Sequence, residues 1–564
     1  MTRKDLISPL KQYLLLKEIH GGNPFQLRSY QKVVSMIENN VLWVEDWSVE
    51  NLEQQEGLGK SMAATLAEIN ETGTFAKLVE LKESTPKGLL ELAKIKGLGP
   101  KKLRALWMDL NITTPAALLE ACNTGSLGKA KGFGAKTVES LKEALIFWQE
   151  NHWKKRWADA QEETELMKSL LQTLLPEAQI DFTGDYLLQR ETVAELEMVI
   201  AAESPIAAHQ KILAATGFQE NKEQSGPFTA YLEHQDYEMR FLLHFCPMGQ
   251  FTNRQFELGV APAHLNKGLS PEKTLRQLLH QKAFASEQEI YEAAGLPFVP
   301  QEMREGLWEW DWLDKNSPDQ LLTYADLRGP MHNHSNYSDG SHSLEELAAY
   351  CQSQGWEYLG ISDHSQTAAY ANGLQVERVL AQHAEIDRLN AGFENFKIFK
   401  GIESDILQDG SLDYEDEILK QFDFIVASIH GNMNMDEATA TQRLIKAIEN
   451  PYTTMLGHPT GRLLLKRAGY PVNHEMIIDA CAANMVIIEI NANPWRLDMD
   501  WRFVHQALEK GVEISINPDA HEIKGFADMQ YGVQVGRKAG LRKDQTFNTK
   551  GTAEVAAYFK SKKG

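Results

Sequence analysis

Cysteine is scarce in this chain: Cys122, Cys246, Cys351 and Cys481 are the only four in 564 residues, and no two form a Cys-x-x-Cys pair. That usage excludes a disulfide scaffold and a thiolate zinc site, and it fits a reducing compartment. Long hydrophobic runs are missing as well. No apolar stretch reaches the ~20 residues that cross a bilayer, and the opening MTRKDLISPLKQY lacks the apolar core of a signal peptide. Positive charge is short too. The formal net charge is −21, which argues against a protein that grips nucleic acid with a general basic surface. The deficit is uneven, however: residues 1–150 carry 19 Lys and Arg against 18 Asp and Glu. Any contact with a polyanion is therefore expected near the N-terminus. The length predicts three to five domains, and 43 % apolar residues can bury several cores. The chain reads as cytoplasmic, without a membrane partner, and nothing in it calls for more than a monomer.

What the chain does contain is a string of metal-ligand residues within 325–564. His332, His334 and Asp339 fall in MHNHSNYSDG, His364 in GISDHS, Glu403 in GIESDIL and His430 in VASIHGN. His458 follows in MLGHPTGR, then Asp519 and His521 in INPDAHE. Imidazole nitrogens and carboxylate oxygens are what Zn²⁺, Mn²⁺ and Fe²⁺ accept, and nine such residues are enough for several ions. A single buried histidine usually serves only the core. Here the ligands follow apolar strands instead: YLGIS, FKIFKGIES, FDFIVASIH, MVIIEINA and VEISINPDA alternate with helices such as SLEELAAYCQSQ and WRFVHQALEK. Strand-helix alternation with functional residues at strand C-termini is the pattern of a parallel barrel whose site lies at that mouth. Clustered metals bridged by carboxylate are suited to cutting phosphate esters, so this half reads as a hydrolase.

Residues 1–150 are helical by spacing, as in LISPLKQYLLLKEI, SYQKVVSMIENN and SMAATLAEINET. Three segments share an apolar helix, a Gly-apolar-Gly turn and a second helix with lysine near its start. They carry Gly57, Gly59 and Lys60; Gly97, Gly99, Lys101 and Lys102; and Gly132, Gly134 and Lys136. The free amides that open the second helix suit a phosphate, and glycine lets the backbone come close. One such turn is often just a helix cap, but three in succession form a repeat. The first is the weakest, since QQEGLGKSM has no second basic residue. This is the logic of helix-hairpin-helix elements, which hold DNA by its backbone without reading bases.

With hairpins in front and metal ligands behind, the chain resembles the bacterial family-X DNA polymerases fused to a polymerase-and-histidinol-phosphatase (PHP) domain. GGNPFQLRSYQKV is similar to the DNA-end-binding domain, LAKIKGLGPKKLRALW to the fingers hairpin, EIYEAAGLPFVPQEMREG to the end of the thumb, and DLRGPMHNHSNYSDG to the entry of the PHP domain. The resemblance implies a multidomain α and α/β fold: a helix-hairpin-helix N-terminal region, an α+β palm and thumb, and a distorted (β/α)7 PHP barrel. The expected boundaries are 1–82 for the DNA-end-binding domain, 83–150 for fingers, 151–247 for palm, 248–320 for thumb and 325–564 for the barrel.

The palm departs from the family pattern. Two-metal nucleotidyl transfer needs closely set acids on adjacent strands. In FTGDYLLQRETVAELEMVIA, Gly184 is kept, but Asp185 stands where the family has the serine of its phosphate-binding turn. Glu195 and Glu197 replace the aspartate pair, and Glu238 in DYEMRFLL is the expected third acid. Each glutamate is one methylene longer, enough to displace an ion by roughly an ångström. The thumb stretch RQFELGVAPAHLNKGL also differs, with only His264 and its neighbours looking familiar. These positions predict a polymerase activity weakened or lost, with Mg²⁺ or Mn²⁺ and dNTP binding in the palm left open.

For the barrel the resemblance implies three divalent ions (Zn, Mn or Fe, with Mn²⁺ for activity). His332, His334, Glu403 and Asp519 would hold one, Glu403, His430 and His458 a second, and Asp339, His364 and His521 the third. Glu403, Asp519, His521 and Asp339 are the candidate catalytic groups, with Asp363 as an orienting residue. Arg462 and Arg496 are candidates for a guanidinium clamp on phosphate. The expectation is a DNA-repair 3′→5′ exonuclease, or a 3′-phosphatase or abasic-site endonuclease, acting on DNA with gaps, nicks or 3′ ends. Two other classes remain open: a small-molecule phosphomonoesterase of the histidinol-phosphatase type, and a non-catalytic DNA-end-binding protein.

Overall fold

Apolar residues at helical spacing build the first part of the chain around one core, which runs from Leu6 and Leu10 through Leu66, Leu89 and Leu103 to Leu141 and Leu145. The computed structural model describes residues 3–38, 42, 47–271 and 273–563, and the chain divides into two units, 1–152 and 153–564. The first contains helices Arg3–Ile19, Pro24–Glu38, Lys60–Thr72, Ala76–Glu83, Pro115–Asn123 and Ala135–Asn151, with shorter helices between them. The helical reading of Asn39 and Asn40 lies outside the described residues. The three Gly-x-Gly turns have one backbone shape: Gly57, Gly97 and Gly132 stand at φ +87, +90 and +92. The apolar residue between the glycines (Leu58, Leu98 or Phe133) is buried in the core. Gly59, Gly99 and Gly134 then cap the following helix with extended backbone. The first turn, weak by its basic residues, matches the other two in geometry.

The second unit begins with a five-stranded sheet. Its strands are β1 (Gln179–Phe182), β2 (Leu196–Ala202), β3 (Phe218–Glu220), β4 (Thr229–His234) and β5 (Phe241–Pro247), in the order β1-β2-β5-β4-β3. Strands β2 and β5 are parallel, with Leu196 opposite Phe241; the other pairs are antiparallel. Helix Trp157–Leu174 covers the sheet through Ala160, Met167 and Leu171. Residues 251–321 then form a small helical layer around Phe256, Leu275, Tyr291 and Trp312. His264 is buried in it, between Glu309 at 2.8 Å and Tyr291 at 3.0 Å.

The remainder is a parallel sheet wrapped by helices. Strands β6 (Tyr358–Ile361), β7 (Lys397–Asp405), β8 (Phe424–Ser428), β9 (Met455–Leu456), β10 (Ile487–Asn491) and β11 (Ile514–Asn517) neighbour one another in sequence order. Among the described residues these are six regular strands rather than seven. The seventh place is taken by residues 330–334, which lack a regular ladder. Gly360 and Ser362 donate to Pro330 and Asn333 on one side, and His334 donates to Ala520 on the other. The strands are buried on both faces, as expected where helices cover a parallel sheet. Among the described residues, no helix is long and apolar enough to cross a membrane.

Candidate metal centre

Parallel strands point their C-terminal ends one way, so residues far apart in sequence meet at one mouth. Glu403 and Asp405 lie two apart at the end of β7, hence on one face. His430 follows β8, His458 follows β9 and Asp519 follows β11. His458 and Asp519 adopt positive φ, +21 and +52, a costly backbone for non-glycine residues that often marks a working site. The Glu489 carboxylate accepts the His458 backbone N–H at 3.1 Å and steadies that turn.

All nine sequence-predicted ligands converge. Glu403 is the hub: Oε1 lies 2.9 Å from His458 Nε2, 3.1 Å from His430 Nε2 and 3.4 Å from His332 Nε2. Its Oε2 lies 2.9 Å from His364 Nδ1 and 3.7 Å from His334 Nε2. Asp519 Oδ1 stands 3.0 Å from His334 Nε2 and 3.6 Å from His332 Nε2. Asp339 Oδ1 is 3.4 Å from His521 Nε2 and 3.8 Å from His364 Nε2. Three subsets have ligand atoms close enough to share an ion: His334 with Asp339, His364 and His521; His332 with His334 and Asp519; His364 with Glu403 and His430. Relative to the expected division, His334 and His364 each belong to two subsets.

The donor chemistry fits divalent cations. Buried atoms His332 Nε2, His334 Nδ1, His364 Nδ1, His458 Nδ1 and Glu403 Oε2 have no hydrogen-bond partner, a costly state in the absence of a compensating ligand. The electrostatics point the same way. Burial opposes charging His332, yet Glu489, Glu403 and Asp519 hold its pKa well above the ordinary value. Burial likewise opposes ionising Glu403, but His430, His332 and His364 keep it well below the usual carboxylate range. His334, enclosed and facing His521 and His364, is pushed down to about 3.

Several supporting residues escaped sequence reading. Glu489 Oε2 accepts from His332 Nδ1 at 2.7 Å, and Asp405 Oδ1 from His430 Nδ1 at 2.6 Å. Each pairing fixes the tautomer and turns the other nitrogen toward Glu403. An acid inside the apolar run IIEIN, and an acid two places after Glu403, were the available signals. Asp363 has a different task from the one expected. It accepts from Ser335, Ser338 and Gln382, and so clamps the loop after His334 rather than orienting a ligand.

The two arginine candidates separate. Arg462 is committed elsewhere: it donates to the Arg496 and Leu497 carbonyls and pairs with Asp500 at 2.9 Å and Glu191 at 3.7 Å. It braces the loop at 496–500. Arg496 faces the centre, with Nε 3.6 Å from Asp519 Oδ2.

The palm-like acids do not form a comparable set. Glu195 pairs with Arg240 at 3.0 Å and Glu197 with His244 at 3.2 Å, each partner lying on or beside β5. Glu238 is 86 % exposed and pairs with Lys155 at 3.2 Å, so basic groups rather than a third acid face the glutamate pair. Gly184 stands at φ +62, where a Cβ would overlap the Glu197 carboxylate. Asp185 pairs with Arg190 at 2.7 Å, Arg190 with Glu305 at 2.8 Å, and Glu305 with the buried Lys538 at 2.5 Å. Lys538 also donates to the Leu188 and Glu302 carbonyls. The turn expected to hold a triphosphate thus anchors the palm-like layer to barrel helix Met529–Lys538. Among the described residues, no palm-like acid joins a potential metal-holding group.

Comparison with known proteins agrees with this geometry. A PHP domain model matches residues 330–492, a helix-hairpin-helix domain residues 1–75, and a SAM-like helix-hairpin-helix tandem residues 89–145. The DNA polymerase/3'-5' exonuclease PolX of Bacillus subtilis is 31 % identical over 99 % of this chain and 100 % of its own length. A probable phosphatase of a Thermoanaerobacter species is 29 % identical over 30 % of this chain and 71 % of its own. A probable phosphatase of Caldanaerobacter subterraneus is 30 % identical over 23 % and 52 %, respectively.

Proposed function

Because the chain belongs to the bacterial family-X DNA polymerases that carry a C-terminal PHP domain, we propose that it is a repair nuclease whose barrel trims DNA in the 3′→5′ direction while its palm-like domain does not polymerise. The coarser statement needs no proposal: it is an enzyme of the DNA-repair polymerase family with a metal-dependent hydrolase domain. The observation that carries the finer reading is the contrast in partners. Barrel ligands present buried polar atoms with no hydrogen-bond partner, whereas Glu195 and Asp185 each face an arginine of the chain itself and Glu197 faces His244.

In this reading the nine ligands hold up to three divalent ions, Mn²⁺ among them. Such ions, when bound, supply an activated water and neutralise charge on phosphate. The chain's own residues do the rest. Glu489 and Asp405 lock the imidazoles of His332 and His430 in orientation. Arg496 stands beside Asp519, where its guanidinium can take a non-bridging phosphate oxygen. The hairpin turns at 57–59, 97–99 and 132–134, with Lys101, Lys102 and Lys136, grip the backbone near a gap, nick or 3′ end. The segments 1–82, 83–150, 151–247, 248–320 and 325–564 then divide the work into end binding, duplex binding, palm-like scaffold, thumb-like scaffold and hydrolysis. Removal of a 3′-phosphate and incision at an abasic site would use the same groups.

A gapped duplex with a 5′-labelled primer, Mn²⁺ and dNTPs tests this. Wild-type protein should shorten the primer without lengthening it, and a His332→Ala, His334→Ala variant should do neither. Lengthening by either protein, or phosphate release from small esters with no cutting of DNA, would refute the reading.

A further inference from the structure

We propose that Tyr370 is the platform on which the terminal nucleobase of the substrate strand stacks while its phosphodiester lies at the ligand cluster. The inference rests on the nuclease reading and deepens it, assigning the site a preference for a strand end that still carries a base. Tyr370 is 73 % exposed, although it stands at the rim of a buried centre. Its ring centroid is 6.1 Å from that of His364. An aromatic side chain in that place covers no core, since Ala368 and Ala371 on either side are the buried residues of the turn.

The turn that presents the ring is well fastened. Tyr370 lies in the 3₁₀ turn Ala369–Ala371, closed by the Gly373 N–H donating to Ala368 O at 3.0 Å. Asn372, at φ +55, donates to the Tyr337 and Ser338 carbonyls at 3.2 and 3.1 Å. Those carbonyls belong to the loop that carries His334 and Asp339. The turn that carries the ring is therefore held by the same loop that carries two ligands. Arg378 adds a bond to the Asn372 carbonyl at 2.9 Å.

A second exposed aromatic lies near the centre, Trp495 beside Arg496, but its ring is already used. The Arg156 guanidinium sits 3.3 Å from the Trp495 ring and the Lys466 ammonium 4.0 Å. Tyr370 is the aromatic left bare. Stacking on an aromatic face is tolerant of base identity because every base has a π-face, and it suits an enzyme that trims ends of any sequence. A ring platform would therefore distinguish a normal terminal nucleotide from one without a base.

The test compares wild type, Tyr370→Ala and Tyr370→Phe on two single-stranded oligonucleotides, one with a natural 3′ nucleotide and one ending in a tetrahydrofuran abasic analogue. On the natural end, Tyr370→Ala should raise KM about tenfold with little change in kcat, and Tyr370→Phe should match wild type. On the abasic end all three should behave alike. Binding is read separately with a 3′-terminal 2-aminopurine joined through a cleavage-resistant phosphorothioate, whose fluorescence should be quenched by wild type and Tyr370→Phe but not by Tyr370→Ala. Equal KM values for wild type and Tyr370→Ala on the natural end, or equal losses in the Phe and Ala variants, would overturn the proposal. If wild type cuts no DNA, the nuclease reading fails; the quenching comparison still decides the role of Tyr370.

Discussion

The barrel and the palm-like sheet both place carboxylates near histidines and arginines at strand ends, yet the two sets are opposites in what they leave free. In the barrel, Glu403 is enclosed by imidazoles, and buried lone pairs remain without a partner. In the palm-like sheet, Glu195 faces Arg240, Glu197 faces His244 and Asp185 faces Arg190. An imidazole offers a metal ion a ring lone pair, shedding a proton first where it is charged, whereas the guanidiniums opposite Glu195 and Asp185 cannot be deprotonated under protein conditions. An acidic residue is thus only half of a metal site; the group opposite decides whether an ion has room and charge to enter.

The sharpest way to break this contrast is to remove the hub. Glu403→Gln keeps the shape but lowers the charge shared by five histidines, and hydrolysis should fall on the order of a thousandfold or more. Persistence of primer shortening in that variant would move the activity elsewhere. Glu489→Gln should act more gently, weakening metal affinity by about 10- to 100-fold, because it releases the orientation of His332 without removing a ligand. Metal titration followed by dialysis reads that effect, and an unchanged affinity would leave Glu489 a purely structural residue.

The two arginines sharpen the contrast within the barrel. Arg496→Ala should reduce kcat/KM about tenfold with little change in melting temperature, since a phosphate contact and one 3.6 Å pairing with Asp519 are lost. Arg462→Ala should instead destabilise the fold by about 3 kcal/mol, because a buried ion pair and two carbonyl contacts go at once. Thermal melts beside kinetics separate them, and the reverse pattern would exchange their roles. The smallest effect is expected in Asp528, which burial raises to about 7 against the partial relief from Arg156 across the contact with the palm-like layer. A carboxyl whose folded pKa exceeds its unfolded value favours the folded state at low pH, and that contribution is lost as pH rises from about 4 to about 7. Asp528→Asn should therefore leave stability unchanged at pH 4 and raise it by about 1 kcal/mol at pH 8, after discounting for solvent. Equal Tm gains at both pH values would contradict the assignment.

Much of the centre was legible because strand parity and order carry it. Glu403 lies near the end of an apolar strand and His364, His430, His458 and Asp519 sit two or three residues past one, and parallel topology brings such ends together whatever their separation in sequence. The same parity would have exposed Asp405, two residues after Glu403, and Glu489 inside an otherwise apolar strand. What linear order does not carry is pairing across the sheet. Arg240 and His244 face the palm glutamates only because β2 and β5 lie parallel in one register. The bracing of Arg462 depends on a loop more than thirty residues away, which no local pattern reveals. The sequence-based expectation of a third acid at Glu238 met the same limit, since its partner Lys155 comes from another part of the chain. The departures in the palm were visible as residue types, but the charges that occupy the site became visible only in three dimensions.

The measurement that bears most directly on the central contrast is a metal count. Protein purified with Mn²⁺ or Zn²⁺ supplied would be analysed by elemental mass spectrometry as wild type, as His332→Ala with His334→Ala, and as Glu195→Gln with Glu197→Gln. The barrel variant should lose most of its metal, and the palm variant should keep the full wild-type content. Loss of metal from the palm variant, or an unchanged content in the barrel variant, would contradict the account.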